Sequence, residues 1–147
     1  MNRRFHGVLS LSLLFGALIV GLVSVFHGSV AMGAVYTAII PLSLLAITYS
    51  FCGKCSCRRD SCGHVFPAKL SRLLPPRTDS NYTQLDYAGV VLAFVLLVGF
   101  PQWWLWGNKV LFAVFWALIV VSLVEIRLFV CKGCNNEKCA LCTRQDK

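Results

Sequence analysis

The chain has 147 residues, of which 57% are hydrophobic and only 14% charged, and its formal net charge is +8. Charged residues approach a quarter of an ordinary soluble domain, and the apolar residues here come in long uninterrupted runs, which excludes that class. The positive charges form no stripe interleaved with aromatics and no recognition helix, so nucleic acid is not expected as a partner.

Residues 1–7 carry Arg3, Arg4 and His6, and residues 8–26 then hold no charge at all. At about 1.5 Å per residue this run reaches roughly 28 Å, close to the hydrocarbon thickness of a bilayer. A basic start and the small pair Ser29 and Ala31 are also features of a cleaved secretory signal. The apolar core exceeds the roughly 15-residue limit of such signals and a second apolar run follows at once, so the reading is a retained first span. His27, Gly28 and Ser29 make a short polar break before the second span, residues 30–51, and so short a connection makes the two helices antiparallel neighbours. Gly16, Gly21 and Gly33 would let helices approach closely. Pro41 lies mid-span, removes a backbone donor and predicts a kink, with Ser43 or a neighbouring helix to take up the freed carbonyl.

Directly after this span the chain reads FCGKCSCRRDSCGH, placing Cys52, Cys55, Cys57, Cys62 and His64 in the segment 52–64. Residues 67–77 follow, in which Leu70, Leu73 and Leu74 share a helical face while Lys69 and Arg72 point elsewhere. A short interfacial helix on the membrane surface is expected there, stopped by Pro75 and Pro76. Thr83 with Asp86 three residues later is a capping box opening the third span, residues 85–106. The far end of that span carries Pro101 with Trp103, Trp104 and Trp106, the expected membrane-interface anchors. Gly107 to Lys109 turn the chain into the fourth span, residues 110–130. Glu125 and Arg127 sit in its last turns, tolerable through snorkelling and pairing, and Asp86 at a comparable depth is an expected partner of Arg127. His6 and His27 fall at opposite ends of the first span, so no axial pair for haem is expected. The last run ends on CKGCNNEKCALC, which places Cys131, Cys134, Cys139 and Cys142 in the segment 131–142.

Four spans put the N-terminus, both cysteine segments and the C-terminus on one side. That side holds every lysine and arginine except Lys109, so the positive-inside rule makes it cytoplasmic. The sequon at Asn81 to Thr83 is then on the wrong side for glycosylation and is read as coincidence. Cytosolic thiols stay reduced, and eight clustered cysteines there read as metal ligands or redox thiols in preference to disulfides.

The C-terminal cluster has the spacing C-x2-C-x4-C-x2-C, and four sulfurs at about 2.3 Å would close a tetrahedral zinc site. Part of it, Cys134-x4-Cys139-x2-Cys142, also coincides with the spacing of plant-type [2Fe–2S] proteins. The first cluster offers five ligands for a four-ligand centre. Either Cys52, Cys55, Cys62 and His64 hold the ion and Cys57 is a reactive thiol beside it, or Cys57 ligates and His64 hydrogen-bonds a sulfur. The two clusters can share ligands, because the second and fourth spans end on one face. Lys54, Arg58, Arg59, Lys132 and Lys138 would favour thiolate forms. Two divalent centres of four thiolates would each carry about −2 and bring the protein to about +4.

The fold class expected is an all-α integral membrane protein with four transmembrane helices and two cytoplasmic Cys-rich metal-binding segments. The function expected is a non-enzymatic interaction or assembly module, with zinc ahead of an iron–sulfur cluster, the lipid bilayer as one partner and a cytoplasmic or membrane protein as another. A second expectation is an iron–sulfur subunit passing electrons to a quinone or a partner. A third is a thiol redox or metal-sensing protein using Cys57. No residue is nominated as catalytic, and the avoidance of mid-span charge argues against transport.

Overall fold

Hydrocarbon offers a backbone no hydrogen-bonding partners, so a long apolar run must satisfy its own groups as helix. A computed structural model describes residues 3–55, 62–75, 77 and 81–131, and among these there is no strand. The elements are α1 (Arg3–Gly28), α2 (Val30–Ser50), a 3-10 turn (Cys52–Lys54), α3 (Val65–Arg72), α4 (Gln84–Gly99), α5 (Gln102–Leu105) and α6 (Lys109–Glu125). A π-helical turn, Ile126–Val130, ends the series. Four helical stretches are long and apolar enough to cross a membrane: Arg3–Gly28, Val30–Lys54, Gln84–Leu105 and Lys109–Val130. Large apolar side chains such as Val91, Leu92, Val95, Val120 and Val121 stand exposed on them, a surface suited to lipid and costly in water.

The connections are tight. Ser29 alone separates α1 from α2, and its hydroxyl accepts from the Met32 N–H; Asn108 caps α6 by accepting from the N–H groups of Val110 and Leu111. α1 packs against both α6 and α2, and α2 packs against α4. Ala17, Val98, Leu105, Phe115 and Ile119 form the buried core of this packing. Gly21 lets Phe115 and Pro101 press onto α1, where an added Cβ would stand 3.3 Å from each. Near its end Gly28 receives the Trp104 ring so closely that any side chain would overlap it. The fully buried Tyr36 of α2 donates its hydroxyl to the Leu97 carbonyl (2.6 Å) and stacks on Phe100, tying α2 to α4.

α2 runs through Pro41 as one helix, and Ser43 beyond it is buried. Two elements depart from the sequence expectation. The third span is not one helix, because Phe100 and Pro101 separate α4 from α5; the proline has no N–H to continue the ladder and instead caps the short second piece. The fourth span changes pitch before it ends. Its last turn is π-helical, and the Cys131 N–H donates to the Ile126 carbonyl five residues back (2.8 Å).

Candidate metal centre

Gly7, the last residue before the charge-free run of α1, packs directly on the backbone of Gly63, and any Cβ at position 7 would overlap the Gly63 carbonyl. Gly63 in turn meets the other end of the chain, since a Cβ built on it would stand 2.6 Å from a Val130 methyl and 3.7 Å from the Arg3 carbonyl. Arg3 closes the group by donating its guanidinium to the Val130 carbonyl (3.1 Å), one of the orphan carbonyls that end a helix. Three segments distant in sequence therefore meet at one end of the bundle. The residues on either side of Gly63 are Cys62 and His64, and the residue after Val130 is Cys131.

The first cysteine pair lies at the same end. The 3-10 turn Cys52–Lys54 brings the Cys55 N–H to the Cys52 carbonyl (3.3 Å), so this C-x2-C segment is a closed turn with both cysteines partly buried. It is pinned from two sides. Lys54 is 1% exposed, and its ammonium donates to Asp86 (2.5 Å) and to the Asn81 carbonyl (2.8 Å). Arg77 donates its backbone N–H to the Gly53 carbonyl (3.1 Å), lays its guanidinium over the Tyr49 ring and reaches Asp86 at 3.5 Å.

Asp86 is thus the hub of this corner. It also completes the capping box of α4, accepting from the Thr83 N–H (2.8 Å) and hydroxyl (2.6 Å). The pairing of Asp86 with Arg127 expected from sequence is not formed. α4 is packed on α2, and the cations within reach are Lys54 and Arg77. Lys54 for its part is committed to a carboxylate, where the sequence had suggested support for the thiolates. The other acidic residue among the described residues, Glu125, accepts from His6 Nδ1 (2.8 Å), and the His6 ring stacks on Phe129 in the π turn.

His64 begins α3 as its N-cap residue. Burial pushes its imidazole below the usual histidine value, and a backbone hydrogen bond at Gly7 opposes this only in part. The ring is therefore held in the neutral form, which is the form that binds metals. Its Nδ1 is buried and has no hydrogen-bond partner among the described residues.

No family model matches this chain, nor does any curated protein or solved structure. The site must be read from its own chemistry. Among the described residues no three of His, Cys, Asp and Glu are grouped to hold a metal ion. Cys57, Cys134, Cys139 and Cys142, the other four cysteines named from sequence, lie outside the described residues. Cys52, Cys55, Cys62 and Cys131 are each partly buried. The partly buried His64 imidazole, with one buried nitrogen that has no partner among the described residues, is the side chain here whose chemistry most resembles an unused metal ligand.

At the opposite end Trp103 is 84% and Trp106 74% exposed, whereas Trp104 turns inward onto Gly28. Sequence reasoning missed Arg3, Gly7 and Gly63 as parts of the site. The available signal was a glycine at the exact boundary of an apolar run and another between two candidate ligands, each a place where backbones can touch.

Proposed function

We propose that this chain is an integral membrane protein carrying a thiolate-bound metal platform, zinc by preference, at the cytoplasmic end of a four-helix bundle, and that it serves as a non-enzymatic interaction or assembly module. The observation that carries the reading is the packing of Gly63, between Cys62 and His64, onto Val130, next to Cys131. That contact supports reading Cys62, His64 and Cys131 as parts of one site. The buried Nδ1 of His64, without a partner among the described residues, supports the choice of a metal over free thiols, since such an atom costs about 1–3 kcal/mol and ligation would remove that cost.

Cys52, Cys55, Cys62, His64 and Cys131 would hold metal together with Cys57, Cys134, Cys139 and Cys142. The ion would supply folding energy to segments too short to build a core. Every lysine and arginine but Lys109 falls on this side by sequence, which makes the platform a cytoplasmic one by the positive-inside rule and a basic surface for lipid or an acidic partner.

Metal analysis of anaerobically purified full-length protein tests the reading. About two zinc ions per chain in colourless protein is the expected result, from four ligands per ion. Brown protein whose visible absorption bleaches on reduction would replace zinc by iron–sulfur clusters and the module by an electron carrier. Metal-free folded protein with rapidly alkylated cysteines would overturn the metal platform altogether.

A further inference from the structure

The short helix α3 has a face that the platform does not use. Its N-cap His64 and the preceding Gly63 sit against Gly7 and Val130, at the boundary of the apolar runs, so α3 starts at the level where hydrocarbon gives way to headgroups. It packs on α1, α2 and the 3-10 turn, burying Ala68 and Ser71. Directly opposite that pair on the helical wheel stand Phe66 and Leu73, seven residues and so only about 20° apart. Phe66 is 60% and Leu73 82% exposed. The exposed face is therefore not the Leu70, Leu73 and Leu74 face suggested by sequence, since Leu70 and Leu74 are half-buried. Lys69 lies beside it and Arg72 further round on the same side, and both are exposed.

We propose that α3 is a docking element for anionic phospholipid, with Phe66 and Leu73 seated at the boundary of acyl chain and headgroup and Lys69 and Arg72 against lipid phosphates. The combination decides the occupant. Two large exposed apolar side chains with two exposed cations to one side of them are what an interfacial helix presents to a charged bilayer. The proposal stands on the bundle and on α3, independently of what the cysteines bind. It also gives the lipid a route to the candidate site, because the helix it would hold begins at His64.

Hydrogen exchange of the full-length protein in nanodiscs provides the test, comparing phosphatidylcholine alone with an equal mixture of phosphatidylcholine and phosphatidylglycerol. Amides of residues 66–73 are expected to exchange more slowly in the anionic discs, by about fivefold for each basic residue engaged. K69E/R72E should abolish the difference, and F66S/L73S should speed exchange in both lipids, with α1 amides unchanged as the sign that each variant is folded. Equal exchange of the native protein in the two lipids would overturn the proposal and leave the face to an acidic protein. A difference that persists in folded K69E/R72E would overturn it too. Should either variant fail to fold, the native comparison of the two lipids decides.

Discussion

Lys54 and Asp86 are both almost fully buried, so the pair is worth most when one partner is removed and the other is left behind. The two removals are not equivalent. Asp86→Ala strands the Lys54 ammonium with the Asn81 carbonyl alone, whereas Lys54→Met leaves Asp86 with the Thr83 donors and Arg77. Unfolding in mixed micelles should show a loss of about 3–5 kcal/mol for Asp86→Ala and a clearly smaller one for Lys54→Met. Equal losses would mean that Thr83 and Arg77 do not hold the carboxylate. At the candidate centre, His64→Ala removes a proposed ligand whose ring makes no side-chain capping bond to α3 and has a backbone hydrogen bond at Gly7. Zinc affinity should fall by more than about tenfold, read by chelator competition, while helical circular dichroism is kept.

Among elements, α1 decides how the ends of the chain meet, and its glycines separate two kinds of contact. Gly7 faces a backbone carbonyl that cannot rotate away, while a Cβ at Gly16 would stand 3.7 Å from a Leu118 methyl, an ordinary contact. Gly7→Ala should therefore cost about 1–3 kcal/mol by overpacking and loosen the loop that bears Cys62. Gly16→Ala should be neutral or stabilising by up to about 1 kcal/mol, since alanine is the better helix former. Thermal unfolding together with the alkylation rate of Cys62 distinguishes the two, and a Gly7→Ala protein as stable and as slowly alkylated as the native chain would contradict the backbone contact. The π turn belongs to this scale as well. It widens α6 just before Cys131, and it is held by Arg3 on the Val130 carbonyl and by His6 stacked on Phe129.

For the whole molecule, the spans and the candidate platform rest on different forces. The bundle is held by the packing around Phe115 and Ile119 and by bonds such as Ser122 to the Ser10 carbonyl (2.9 Å), none of which needs a metal. Treating the protein with a strong chelator should leave its helical circular dichroism nearly intact while Cys62 and Cys131 become open to alkylation, as mass spectrometry would show. Collapse of the spans on chelation would tie the bundle to the metal after all. Orientation is tested separately. A membrane-impermeant thiol reagent applied to intact cells should leave Cys55 and Cys134 unmodified, and labelling of either would reverse the assigned sidedness.

Four spans could be read from the sequence because the requirement is local: a charge-free run of sufficient length must be helix in lipid whatever its neighbours do. The Thr83–Asp86 capping box was legible for the same reason, being settled within one turn. The identity of candidate ligands came from residue type and spacing alone. Partners across the bundle did not. Asp86 chose Lys54 and Arg77 because α4 lies on α2, and Pro101, where the third span breaks, packs on Gly21 of α1. That both cysteine segments fall on one side followed from the count of spans, but the meeting of Gly7, Gly63 and Val130 was decided by tertiary structure only, because it joins backbones separated by most of the chain and leaves no periodicity in the sequence to announce it.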